Sequence, residues 1–305
     1  MDLRRRTGLS MSTVIAGVDE LKAEGIVSLE QERSKSGGKP HSIINVRRDK
    51  CVYGVSYKGG VLSALAVDLK GEARGEISLD ASPDASPADQ VISLVTALGK
   101  KAARPLALAL ALNCEERERV VETLEERLQA KVFLTTNTAA LTYRALWKGG
   151  ALPIVAIGVG NGVKCACLEK TGCRVADLGD LPSSTAFAGE GSYLSLLSAA
   201  RVERRLRTTD FRGLYEVVDG RAAETRELSS YVHALARAIA SLADLADRVY
   251  SPREILLFGE YITQGFFDRI TLLSRVGDRI KRVQGERAEF AYGAAVSALI
   301  EGVFS

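Results

Sequence analysis

From residue 51 onward, short apolar strands alternate with amphipathic helices, and this alternation restricts the fold more than any other feature: it calls for an α/β architecture. Val52–Ser56 and Val61–Asp68 read as strands joined by the tight Lys58-Gly59-Gly60 turn, and Asp80–Ala88, with two Ser-Pro steps, reads as a loop entering a helix over Pro87–Lys101. Leu106–Leu112 is expected as a buried strand, Glu115–Ala130 as an amphipathic helix and Lys131–Leu134 as a short strand. A second α/β unit starts near Leu152. Its first strand, Pro153–Gly158, runs into Gly158, Gly160 and Gly162, with Gly162–Leu168 as hairpin partner. Helices are expected over Tyr193–Arg205, Phe211–Val218 and Leu228–Arg248, then a strand over Glu254–Phe258 ended by Gly259. The last helix, Tyr292–Gly302, is rich in small residues and suited to close packing.

The first 46 residues follow a different plan. Arg4, Arg5 and Arg6 occupy one turn of a short helix punctuated by Gly8, and Ser10 is a good N-cap for a second helix carrying Met11, Val14, Ile15, Val18 and Leu21 at helical spacing. Two short helices across a Gly-containing turn make a helix-turn-helix. Ile26–Glu32 and Ser42–Val46 read as two strands around a turn-rich loop with Lys35 and Lys39, the order of a winged helix. Arg4–Arg6, Lys35 and Lys39 are candidates for phosphate contacts, while Ser10, Ser12 and Thr13 at the start of the reading helix can reach phosphates or base edges. A complete winged helix has a further helix packed behind these two, so the unit is expected to be truncated; a late start assignment, a true loss or a partner replacing that helix would each explain it. Without it, Leu3, Val14 and Val18 are expected to lose part of their cover.

Charge follows the same division. Residues 1–50 hold 10 Lys and Arg against 7 Asp and Glu, and the chain totals are 41 and 38, leaving 31 of each sign in residues 51–305. Attraction for a polyanion therefore belongs to the N-terminus. At 46% hydrophobic and 26% charged the chain has an ordinary globular composition. It carries no 18-residue apolar run and no recognisable leader, so a cytoplasmic protein without membrane contact is expected.

Several segments, taken in order, resemble the ROK family of sugar-responsive transcriptional repressors and sugar kinases. They are Gly8-Leu-Ser-Met-Ser-Thr-Val14 with Gly37-Gly-Lys-Pro40, Gly54-Val-Ser-Tyr-Lys-Gly-Gly60 through Val67-Asp-Leu-Lys-Gly71, Thr136-Asn-Thr-Ala-Ala140, Ile157-Gly-Val-Gly-Asn-Gly162, Ala176-Asp-Leu-Gly-Asp180 and Tyr292-Gly-Ala-Ala295. Each is weak alone; their colinearity over nearly the whole chain carries the resemblance. It implies a duplicated actin-like, ribonuclease H-like core of two lobes behind the winged helix, with residues 1–48 as the winged unit, 49–149 plus 290–305 as the first lobe and 150–289 as the second.

The departures from that family fall on residues that do chemistry. Where the resemblance implies an Asp and a Thr around the phosphates of ATP, this chain has Ser56 and Gly60, and phosphoryl transfer needs a carboxylate for Mg²⁺. The implied catalytic Asp is replaced by Asn137, whose amide can hydrogen-bond a sugar but cannot take a proton; a cap for a helix starting at Thr138 is the competing role. The implied zinc His reads Asp180, and Ser184–Ser192 holds no cysteine, so no metal is expected. The implied sugar-contacting Glu is the shorter Asp177, and the chain passes from Asn113 into Glu115 without the family's sugar-facing insertion. Asn113, Thr136, Asn137, Asp177 and Asp180 are thus the candidate sugar contacts.

Gly158, Gly160 and Gly162 form either a degenerate phosphate loop or a plain turn. Cys165, Cys167 and Cys173 mimic a zinc motif but precede the Ala176–Asp180 segment; Cys165 and Cys167, two apart on a strand, point to one face and read as core. The five cysteines, Cys51 and Cys114 included, are expected to be reduced thiols. These observations together lead to the expectation of a dimeric or higher-order, non-enzymatic regulator that binds operator DNA, needs no cofactor and can sense a sugar, with a residual sugar kinase and a pure interaction module as the alternatives.

Overall fold

The computed structural model describes residues 3–32, 41–112, 117–187, 190–206 and 226–304. Helix α1 (Leu3–Thr7) stops at Gly8, whose φ of +70° turns the chain sharply toward α2 (Met11–Ala23). Ser10 accepts a hydrogen bond from the Thr13 amide and so begins α2, which ends before Gly25 at φ +72°. Strands β1 (Val27–Glu32) and β2 (His41–Val46) then pair antiparallel, Val27 opposite Val46 and Glu32 opposite His41.

Two five-stranded sheets follow, and their topologies are the same. The first contains β3 (Cys51–Lys58), β4 (Val61–Asp68), β5 (Ala73–Asp80), β6 (Pro105–Ala111) and β7 (Lys131–Leu134) in the order β5-β4-β3-β6-β7. The second, interrupted in sequence by the antiparallel pair β11 (Pro182–Phe187) and β12 (Glu190–Ser192), contains β8 (Ile154–Val159), β9 (Val163–Glu169), β10 (Gly172–Asp177), β13 (Glu254–Gly259) and β14 (Ile280–Arg282) in the order β10-β9-β8-β13-β14. Each is an antiparallel meander of three strands continued by two parallel strands. Such repetition agrees with the duplicated core that the resemblance implies.

Helices α3 (Pro87–Gly99) and α4 (Arg117–Leu128) bury Val91, Leu94, Val95, Leu98 and Leu124 against one face of the first sheet. Over the second sheet lie α6 (Tyr193–Leu197), α7 (Ala199–Leu206), α8 (Arg226–Tyr250) and α9 (Gln264–Leu273), whose apolar residues share one core with Val155, Ile157, Ile255 and Leu257. Between these outer layers α5 (Asn137–Trp147) packs on β8 and β9, α10 (Arg287–Gly302) packs on β3, β4 and β6, and the two helices pack on each other. Backbone contact makes this possible: a Cβ on Gly54 would stand 2.0 Å from Ala291 O, and one on Gly293 would stand 2.0 Å from Ala140 O.

The N-terminal elements share the inner core of the first sheet. Ile26 and Val27 are buried in one cluster with Val52, Leu65, Val67, Ala298 and Leu299, and Leu21, Ile44, Val46 and Val303 pack at its margin. Helix α2 itself contributes no fully buried residue, and Leu3, Leu9, Met11 and Ile15 are exposed.

The structure corrects several sequence expectations. The Tyr193–Arg205 helix is two helices, broken where Ser198 takes an extended ψ of 138°. Helix α10 begins at Arg287, five residues before Tyr292, because the Glu286 and Glu289 side chains form a capping box on each other's backbone amides. Strands β5, β10 and β14 and helix α9 were not evident from patterning. The Phe211–Val218 segment, Lys35, Lys39, Asn113 and Cys114 lie outside the described residues. Among those residues no helix is long and apolar enough to cross a membrane.

Candidate functional site

Two regions gather chemically capable side chains, and the fold places them apart. The first is the N-terminal turn of α2. Ser10 Oγ caps the helix through the Thr13 amide and lies 2.8 Å from both Ser12 Oγ and Thr13 Oγ1, so three hydroxyls share one exposed end of the helix. Arg4, Arg5 and Arg6 are exposed on the helix before it, across the Gly8 turn. Positive charge, helix N-terminus and hydroxyl donors thus coincide, the combination that a phosphate backbone attracts.

The second region lies at the carboxyl ends of the central strands of the two sheets. A cleft of about 720 Å³ is bounded by Lys58 and Gly59 from the β3–β4 turn, Gly259, Glu260 and Ile262 from the end of β13, Arg282–Gly285 from the end of β14, and Glu286–Ala288 at the start of α10. Of these, sequence patterning had marked only the Lys58-Gly59 turn and the strand-ending Gly259; Glu260 directly follows that strand without being singled out, and Arg282 and Arg287 belong to β14 and to the first turn of α10, which it did not delimit.

The cleft is crossed by hydrogen bonds from the β3 tip. Buried Ser56 donates from Oγ to Arg287 O at 3.2 Å, and Lys58 Nζ donates to Gly285 O at 2.7 Å while standing 5.3 Å over the Phe290 ring. Burial pushes the Lys58 ammonium below its usual range; Glu260 and Glu289 oppose that shift and Arg287 adds to it. Glu289 in turn pairs with Arg144 of α5. The hydroxyl of Ser56 is committed to backbone, and a serine offers no anionic oxygen for a metal ion.

Asn137 sits at the first position of α5. Its neighbour Thr136 supplies the cap by accepting from the Ala139 amide, so of the two roles open to Asn137 that of a cap for a helix starting at Thr138 is filled by another residue. The Asn137 Nδ2 donates to Tyr57 O at 3.1 Å, and the buried Oδ1 has no hydrogen-bond partner among the described residues. Asp177, at the end of β10, accepts the Gly179 amide through Oδ1 at 2.9 Å, and Asp180 is exposed.

The three glycines at the end of β8 and in the turn after it differ from one another. Gly158 lies inside the strand, where a Cβ would meet the Phe258 ring at 2.5 Å, so its smallness serves packing. The Gly160 amide donates to Gly162 O at 3.1 Å, closing the turn, and Gly160 O accepts from Ala199 N. Cys165 and Cys167 are buried in the core of the second sheet, and burial first, then neighbouring thiols or Glu169, raises them to about 12 and about 11. Among the described residues no three His, Cys, Asp or Glu side chains gather as a metal site.

Neither a family model nor a curated protein matches the sequence. Solved structures do. The chain is similar to a ROK hexokinase from Thermus thermophilus, with TM-score 0.69 and 16% identity over 84% of this chain and 100% of that one. It is similar to a ROK family transcriptional regulator, a homolog of the E. coli MLC protein, with TM-score 0.68 and 13% identity over 99% of this chain and 92% of that one. A ROK family glucokinase from Streptomyces griseus, solved with glucose and AMPPNP, matches with TM-score 0.57 and 16% identity over 80% and 98%. At these identities the likeness establishes the fold, which proteins of either activity share.

Proposed function

We propose that the protein is a DNA-binding transcriptional regulator of ROK type, a repressor that presents two copies of its N-terminal unit to a pseudo-palindromic operator and uses its two-lobed body to dimerise and to sense a small molecule of the sugar class. The observation that carries this reading is the placement of α2: none of its 13 residues is fully buried, while Ile26 and Val27 just beyond it are anchored in the body. A helix held in this way is fixed in position and open along its length.

Two further observations support the reading. The match to the regulator spans 99% of this chain and the matches to the hexokinase and glucokinase 84% and 80%, a shortfall similar in size to the first 48 residues. The two carboxylates that the resemblance implies for phosphoryl transfer, one to hold Mg²⁺ and one to act as base, are Ser56 and Asn137 in this chain, and neither side chain can fill its role.

Binding to the DNA upstream of the chain's own coding region, measured against random DNA over a range of salt, tests the proposal. A specific complex is expected to exceed the random one by about 10³-fold or more at physiological salt. Replacing Arg4, Arg5 and Arg6 together by Ala is expected to weaken both complexes and to reduce the salt slope by about 3. Equal affinity for upstream and random DNA would favour a non-enzymatic interaction module instead. The kinase reading draws on the likeness to the hexokinase and on the 720 Å³ cleft between the two sheets' strand ends; sugar-dependent ATP turnover abolished by Asn137→Ala would establish it.

A further inference from the structure

A second cavity lies beside the first sheet, separate from the cleft. It measures about 340 Å³ and is lined by Tyr57 and Leu62 of the first hairpin, Ala81, Ser82, Pro83, Ala85 and Pro87 of the loop between β5 and α3, Gln90 of α3, and Leu112 after β6. Leu62 and Leu112 are buried members of the core beneath it, so its floor is apolar, and the Tyr57 ring at its rim is 42% exposed.

The loop that forms one wall is held in place by Gln90. Its Oε1 accepts the Ser82 amide at 2.8 Å, and its Nε2 donates to Ser82 O at 3.0 Å and to Ala85 O at 2.9 Å. The Ala81 amide is taken by Gly60 O at 2.8 Å. With these groups paired internally, the loop turns Pro83, Ala85 and Pro87 to the cavity and leaves the hydroxyls of Tyr57 and Ser82 as its side-chain polar handles.

We propose that this cavity is a binding site for a small monocyclic aromatic molecule carrying one polar substituent, a phenol being the simplest example. The volume lies at the small end of ligand pockets and suits a single ring. Tyr57 offers an offset or edge-on ring contact, Leu62, Leu112 and the two prolines supply apolar walls, and a single hydroxyl can satisfy the one or two polar groups at hand. Among the described residues the lining offers few polar partners, so a sugar is disfavoured, because its five hydroxyls would lose water there without replacing it. Occupancy of this site is independent of the DNA reading, and loss of either leaves the other standing.

Ligand-detected saturation-transfer NMR on the full chain tests the inference, with phenol, cyclohexanol and glucose as probes. Phenol is expected to bind with a dissociation constant on the order of 1 mM, within the efficiency available to so few atoms, with cyclohexanol weaker and glucose giving no transfer. Ala85→Trp, which fills the cavity from an exposed loop position, is expected to abolish phenol binding while thermal melting stays unchanged; Tyr57→Leu is expected to weaken it about tenfold and Tyr57→Phe much less. Absence of transfer to phenol, equal binding by a folded Ala85→Trp variant, or displacement of phenol by glucose would each overturn it.

Discussion

Asp68 shows how a single side chain fixes a turn. It is fully buried at the end of β4, where Oδ1 accepts the amides of Lys70 and Glu72, both at 2.9 Å, and Oδ2 accepts Arg74 Nε at 2.9 Å. Burial pushes its carboxyl upward, but the Glu72 amide, Arg74 and the Lys70 amide outweigh this and hold it below the usual carboxylate range. A group with a lowered folded pKa stabilises fully above its unfolded value and loses that contribution as pH falls through the folded one. Asp68→Asn is therefore expected to cost on the order of 2 kcal/mol at neutral pH. In urea titrations the gap between variant and parent should hold above about pH 5 and narrow below about pH 4. Some site residues were legible at this scale: Ser10 as a cap, the Lys58 turn and the deficit of carboxylates at Ser56 and Asn137 all follow from residue type and local order. Lys58's seat on Gly285 O was not, because it joins residues 227 positions apart.

At the scale of elements, the packing of α10 depends on two glycines that meet backbone, Gly54 of β3 against Ala291 and Gly293 of α10 against Ala140 of α5. A methyl at position 293 would overlap Ala140 O at 2.0 Å and its carbon at 2.5 Å, groups that no side-chain rotation can move. Gly293→Ala is expected to destabilise by about 3 kcal/mol despite the better helix propensity of alanine, with the loss visible as a lower denaturation midpoint. Gly17 of α2 has nothing within 4 Å of its would-be Cβ, so Gly17→Ala serves as the contrasting case in which propensity alone acts. Legibility of elements followed burial. The interior strands β3, β4, β6 and β8 are continuous apolar runs and were found from sequence within a few residues. The edge strands β5 and β10 were missed, since Ala73–Asp80 and Gly172–Asp177 are largely exposed and read as polar loop. Likewise Ser198 broke a helix that periodicity alone would continue, because it takes an extended conformation between two short helices.

Across the whole molecule, the N-terminal unit and the body are joined by shared core as well as by chain. Ile26 and Val27 sit in the same cluster as residues of β3, β4, β6 and α10, and Arg47 N donates to Ile26 O at 2.9 Å. Ile26→Asp is expected to free the unit from the body while leaving the two sheets folded. Hydrogen exchange should then rise across residues 11–32 and 41–46 and stay unchanged in β8 and β13; protection lost in both sheets would show that the cluster supports the entire fold. Helix α10 reaches this cluster from its far end, its first turn having closed the cleft. One outcome concerns the order in which the protein is made. The segment that holds Ile26 and Val27 leaves the ribosome before β3, β4 and β6, and well before Ala298, Leu299 and Val303, which complete its surroundings. A unit made before the strands it packs on is thus fully seated only after α10 has emerged, and a nascent chain short of that helix would carry it incompletely anchored.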